Sequence, residues 1–214
     1  MLIDDRITSY IQSLIPDEDP ILTEIRAYAE ESFVPVIRPE TAAILKTLIE
    51  LKQAKKILEI GTAIGYSAIL MSRCQNVEHI TTVENYEPRI EVARKNIKKA
   101  GLSEKISLVA GDAGEFLKEL DEAFDLVFLD AAKAQYPAYL PDILRVLKTG
   151  GVLITDNVMQ DGEILESHFT VPKRNRTIHD RMREYLYILT HDEELQTSIV
   201  PIGDGISISV KKLT

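Results

Sequence analysis

The spacing of apolar residues changes twice along the chain and divides it into three stretches. In the first fifty residues they recur at helical spacing. Ile7, Ile11 and Leu14 mark one helix, which Pro16 stops. A second helix is predicted from about Pro20 to Ser32 and a third from Pro39 to Leu51, with Ala43, Leu45, Leu48 and Ile49 turned inward. After Lys56 short apolar runs take over: Ile57–Ile60, His79–Val83, Ile106–Val109, Phe124–Leu129 and Val152–Thr155. Runs this short and this apolar fit strands buried on both faces of a parallel sheet. Amphipathic helices separate them. Pro88 falls in the first turn of Glu87–Ala100 and Gly101 just past its end; Pro137 opens Tyr139–Leu147, which Gly150 and Gly151 close. The tail alternates with period two over Ser198–Pro201 and Ile206–Val210, around Gly203-Asp204-Gly205, the pattern of an antiparallel hairpin.

A strand–helix repeat closed by a hairpin predicts one doubly wound α/β domain, with residues 53–214 as the core and residues 1–52 as an N-terminal helical extension. At 214 residues, 45% apolar and 28% charged, the chain can bury one substantial core. The nearest approach to a membrane span, Ala42 to Leu51, is interrupted by Lys46 and Glu50, and the N-terminus carries acids where a signal sequence would be basic and then apolar. A single cysteine, Cys74, excludes an intrachain disulfide framework and a multi-thiolate zinc site, and reads as a packing residue. A reducing cytoplasm is the expected compartment. The net charge of −9 argues against non-specific binding to DNA or RNA. Against that background, Lys173, Arg174, Arg176, Arg181 and Arg183 crowd one segment with a single acid, Asp180. Such a run reads either as a solvated helix face or as a phosphate contact. The four histidines, His79, His168, His179 and His191, show no ligand spacing and are assigned no chemistry.

In an open α/β sheet ligands lie beyond the carboxyl ends of the central strands. The first strand runs into Glu59-Ile60-Gly61-Thr62-Ala63-Ile64-Gly65-Tyr66-Ser67, where glycines permit a tight turn before a helix N-terminus. The spacing does not satisfy G-x-G-x-x-G, which weakens a nicotinamide reading. The second strand ends at Glu84, placed to accept hydrogen bonds from both ribose hydroxyls of an adenosine cofactor. After the third strand, Gly111-Asp112-Ala113 offers Asp112 to an adenine amino group or as the N-cap of Ala113–Leu120. Asp130 ends the fourth strand, and Asp156-Asn157 end the fifth. Adjacent strand ends bring these three together as a hard, all-oxygen set suited to Mg²⁺ or Mn²⁺, although each is also a plausible helix cap.

These residues resemble the cofactor site of class I methyltransferases, and more narrowly the metal-dependent O-methyltransferases of the catechol and caffeoyl-CoA type. The resemblance covers nearly the whole chain. It implies a Rossmann-like seven-stranded sheet, mostly parallel with an antiparallel C-terminal hairpin, and S-adenosylmethionine as methyl donor. It implies cofactor contacts from Ile37, Glu59, Gly61, Thr62, Ser67, Glu84, Asp112, Ala113 and Asp130, metal binding by Asp130, Asp156 and Asn157, and Lys133 as the catalytic lysine. Ala63 departs from the glycine common at its position, and Ala131 and Ala132 replace the bulkier residues that line the catechol pocket. Within the family, Asp130-Ala131-Ala132-Lys133 with Tyr136, Thr155-Asp156-Asn157-Val158 and Pro201–Gly205 look most like the bacterial tRNA 5-hydroxyuridine methyltransferases. That likeness implies an anticodon-arm substrate contacted by Lys133, Tyr136, Arg174 and Arg176, and a homodimer joined through the N-terminal helices. Small catechols or phenolic esters are the alternative acceptors.

Overall fold

The computed structural model describes residues 4–213; Met1–Ile3, the start of the segment read for a signal sequence, lie outside the described residues. Three helices lead: α1 (Asp5–Ser13), α2 (Pro20–Glu31) and α3 (Pro39–Lys52). Asp4 and Asp19 cap the first two by accepting N–H bonds in the opening turn, and α2 and α3 both begin on proline. On α3 the inward stripe is Ala42, Leu45 and Ile49; Ala43 and Leu48 are only half-buried, one step around the helix from their predicted position. Ile7, Tyr10 and Leu14 of the α1 region stay exposed. Among the described residues no helix is long and apolar enough to cross a membrane.

Seven strands follow: β1 (Lys56–Ile60), β2 (His79–Glu84), β3 (Ile106–Ala110), β4 (Phe124–Leu129), β5 (Leu147–Thr155), β6 (Leu195–Val200) and β7 (Ile206–Lys211). They form one sheet in the order β3-β2-β1-β4-β5-β7-β6; the first five are parallel, and β7 runs antiparallel to both β5 and β6. The predicted class is the observed one. Five more helices cover the sheet: α4 (Tyr66–Ser72), α5 (Glu87–Lys99), α6 (Ala113–Glu119), α7 (Tyr136–Val146) and α8 (Arg176–His191).

Strand periodicity splits the core into two apolar layers. Ile57, Ile80, Ile106, Leu126, Phe128 and Ile154 point to the layer shared with α2, α3, α4 and α5. Leu58, Ile60, Val83, Val127, Leu129 and Leu153 point the other way, onto α6, α7 and α8. With both faces covered, the strands have no polar side, which is why they read as continuous apolar runs. One boundary differs from the sequence reading. Gly150 and Gly151 do not close a helix; the chain enters β5 directly at Leu147, and the glycines sit within that strand where its register with β4 shifts. Gly150 has φ +72°, and a Cβ on Gly151 would lie 2.6 Å from the Lys148 carbonyl oxygen, so the irregularity needs both.

Candidate active site

Chain order reverses between β1 and β4, and a cleft of about 660 Å³ opens at that switch point beyond the strand ends. Gly61 leaves β1 with φ +105°, and a Cβ there would lie 2.0 Å from the Asp130 carbonyl oxygen. Only glycine lets β1 and β4 approach this closely. Ala63 is held at φ +45°, a left-handed conformation that explains why glycine is common at its position.

The residues expected to bind cofactor fall into two tiers. Ile37, Gly61, Glu84, Ala113 and Asp130 line the cleft. Glu84 is already oriented: its carboxylate accepts from Ala63 N (2.9 Å) and from Asn85 N and Tyr86 N (3.1 Å each). Glu59, Thr62 and Ser67 lie beneath, fully buried, and brace the loop from inside. The Glu59 carboxylate accepts from the Ser67 hydroxyl and from Thr82 Oγ1 at 2.5 Å, and Thr82 also meets Thr62 Oγ1 at 2.6 Å. Asp112 does serve as the N-cap of α6, its Oδ1 accepting from Gly114 N and Glu115 N.

Burial pushes the Glu59 carboxyl up to about 7, opposed by its two hydroxyl donors. A carboxyl raised on folding binds more protons in the native state between about 4.5 and 7, so stability should fall as pH rises through that window. Glu59→Gln, which keeps an oxygen for one hydroxyl and offers an N–H to the other, is expected to remove Glu59's part of that slope, a contribution on the order of 3 kcal/mol at neutral pH. Urea unfolding at a series of pH values checks this; parallel slopes in the two proteins would refute it.

Asp130 and Asp156 sit on adjacent strand ends, locked by Asp130 N to Ile60 O (2.9 Å) and Asp156 N to Leu129 O (3.1 Å). Burial raises both carboxyls. For Asp156, nearby Asp130 and Asp204 add to the effect and take it to about 7, while Lys133 pulls both down. Asn157 turns the chain at φ +56°, donating N–H to Asp156 Oδ1 (2.8 Å) and Nδ2–H to Asp204 Oδ2 (3.2 Å). Lys133 opens a short turn (Lys133–Gln135) after β4 and is half-buried beside these acids.

A second cavity of about 430 Å³ adjoins the first; Lys133, Asn157 and Asp204 line both. Asp204 and Arg38 were assigned no role from sequence. They pair at 2.6 Å and tie the start of α3 to the hairpin turn beside Asn157. The signal available was an acid between two glycines at the tip of a hairpin.

Three expected substrate contacts lie elsewhere. Tyr136 is wholly buried, packed edge-on against Tyr185, with its hydroxyl on the Ala131 carbonyl. Arg176 donates to the Val171 and Phe169 carbonyl oxygens at 3.1 and 3.2 Å. Arg174 and Lys173 are exposed on the turn before α8 and line neither cavity.

Such a cleft suits any adenosine cofactor; comparison with known proteins narrows it. The O-methyltransferase family model matches residues 12–212. The chain belongs to that family. A catechol O-methyltransferase of Niastella koreensis is 35% identical over 175 residues, 78% of this chain and 79% of that protein. Among solved structures, the Bacillus cereus O-methyltransferase in complex with S-adenosylhomocysteine superposes with a TM-score of 0.84 at 26% identity, over 97% of each chain. The Streptomyces achromogenes O-methyltransferase TomG, in complex with S-adenosylmethionine, gives a TM-score of 0.85 at 25% identity, over 97% of this chain and 96% of its own. In this O-methyltransferase, therefore, the cleft at the β1/β4 switch point and its acidic neighbour occupy a fold shared across nearly the whole length of those relatives.

Proposed function

We propose that the chain is an S-adenosylmethionine-dependent, divalent-metal-dependent O-methyltransferase of the catechol and caffeoyl-CoA type, acting on an acceptor with two neighbouring oxygens. One observation carries the reading. Lys133, Asn157 and Asp204 line both cavities, so the candidate base and one of the candidate metal ligands stand where a donor in the large cleft meets an acceptor in the smaller one. Family membership and the cofactor-bound relatives support the donor.

Asp130, Asp156 and the Asn157 amide oxygen would hold Mg²⁺ or Mn²⁺. The donor set fits: burial raises both carboxyls and Asp130 raises Asp156 further, a strain that a dication between them would relieve, and Asn157 already spends its amide nitrogen on Asp204. Such an ion makes an acceptor hydroxyl more acidic and fixes a neighbouring oxygen. Glu84 accepts the ribose hydroxyls, Gly61 allows close backbone approach, and Asp112 keeps one oxygen for the adenine amino group while the other caps α6. Lys133 takes the acceptor proton at Nζ; the acceptor oxygen then displaces the methyl group from the sulfonium, leaving S-adenosylhomocysteine.

For the acceptor, 5-hydroxyuridine in a tRNA anticodon arm is the reading favoured here. Its vicinal oxygens match a catechol's, and the smaller cavity is lined by Gln160, Glu163 and Asn175 with Ile178 as the one purely apolar side chain, which suits a polar heterocycle better than a phenyl ring. Lys173 and Arg174 would supply phosphate contacts. Replacing both with Gln is expected to weaken tRNA methylation and flatten its salt dependence by about 0.7–0.9 per lost contact, with transfer to a small catechol unchanged. Equal losses on both substrates, or none on tRNA, would exclude that patch. Preferential transfer to a free catechol over 5-hydroxyuridine tRNA would move the acceptor to the phenolic class. The exposed apolar residues of the α1 region support a homodimer joined through the N-terminal helices.

A further inference from the structure

Two histidines eleven residues apart meet on one carboxylate, away from both cavities. His168 lies in the segment leading to α8; His179 and Asp180 lie on α8. His168 Nδ1 is 2.8 Å from Asp180 Oδ1, and His179 Nδ1 is 3.2 Å from the same oxygen. One ligand atom from each of the three residues falls within 4.8 Å of the others. His179 is 1% exposed and Asp180 53%, so the cluster has a buried floor and an open mouth.

Hydrogen-bond accounting shows what is missing. His179 Nε2 lies 3.1 Å from the Glu166 carbonyl oxygen, which can only accept, so Nε2 carries the ring's proton. A neutral imidazole has one N–H, which leaves His179 Nδ1 as a buried lone pair aimed at a carboxylate oxygen. Two acceptors in that position need a proton or a metal cation between them. A tetrahedral zinc centre, with bonds of about 2.0–2.2 Å, sets neighbouring ligand atoms about 3.3–3.5 Å apart; the His179 nitrogen already stands 3.2 Å from Asp180 Oδ1, and the His168 nitrogen, at 2.8 Å, would move out by about half an ångström. The Nε2–H bond to a main-chain carbonyl is also the support that metal-bound histidines ordinarily have, fixing tautomer and ring orientation.

We propose that His168, His179 and Asp180 form a second metal site, selective for a divalent transition ion of the zinc class, with its fourth position open to solvent. The two nitrogen donors set it apart from the all-oxygen group at Asp130, Asp156 and Asn157, which suits harder ions. Its consequence is mechanical. The ion would pin the segment carrying Glu166 and His168 onto α8, and that segment continues the wall of the smaller cavity formed by Gln160 and Glu163, facing Asn175 and Ile178.

Zinc binding by the full chain, measured by competition with a chromogenic chelator near neutral pH, tests this, with thermal unfolding alongside. The wild-type protein and the Asp156→Ala variant should each bind one tight equivalent and melt higher with zinc. His168→Ala, an open-loop change that spares the buried ring, should bind at least about tenfold more weakly and lose the zinc-induced rise in melting temperature. His168→Cys, which restores a zinc ligand, should recover binding. Absence of a tight equivalent, or one that survives His168→Ala but disappears in Asp156→Ala, would overturn the proposal.

Discussion

Asp156→Asn is expected to abolish most methyl transfer while making the metal-free protein more stable. Lewis-acid stabilisation is worth several kcal/mol and each 1.4 kcal/mol is a factor of ten, so the loss in kcat/KM should reach about a hundredfold or more. The stability change has the opposite sign because of the carboxyl's environment. Burial, Asp130 and Asp204 raise Asp156 from 3.8 to about 7, so its ionised form works against the metal-free fold as pH rises through that interval. The amide removes the charge and keeps the shape. Added Mg²⁺ should raise the melting temperature of the wild-type protein and have little effect on the variant. Activity and melting temperature measured side by side decide the matter. A residue that only capped a helix would lower both together.

Gly61→Ala should abolish cofactor binding more completely than any polar substitution in the cleft. Its Cβ would meet the Asp130 carbonyl oxygen at 2.0 Å and carbon at 2.7 Å, and φ is +105°. Backbone cannot rotate aside as a side chain does, so the end of β4 must shift, moving both a cleft wall and a candidate metal ligand. A destabilisation of about 2–4 kcal/mol and at least a hundredfold loss in S-adenosylmethionine affinity are expected. Gly65→Ala is the control. It shares a positive φ, +84°, but its Cβ would meet Ala93 at an ordinary 3.5 Å, so only the conformational cost of about 1 kcal/mol applies. Calorimetric titration of the cofactor into both variants checks the difference; comparable affinities would contradict it.

The fold was legible because its local signals agree with its global layers. Each central strand carries apolar residues on both faces, and prolines and glycines mark the helix ends. The reading failed at β5, where two glycines looked like a helix stop but serve a strand irregularity; the two uses look alike without the partner strand. In the site, Asp130, Asp156 and Asn157 were legible because strand ends carry them to one edge. Tyr136 was not, since nothing in the order of residues says which way a ring at a helix start will turn. Arg176 was read as a surface cation, whereas its guanidinium is spent on two loop carbonyls. The meeting of His168 with His179 depends on how a loop packs against α8, and no spacing rule covers that.

Transfer of a labelled methyl group from S-adenosylmethionine to an acceptor with vicinal oxygens, run with Mg²⁺ and with EDTA, tests the central claim most directly. With 5-hydroxyuridine tRNA and a catechol as parallel acceptors, the account predicts that label enters an acceptor oxygen, that EDTA suppresses it, and that excess Mg²⁺ restores it. Undiminished transfer in EDTA would contradict the account, because the paired acids at the ends of β4 and β5 would then have no part in the reaction.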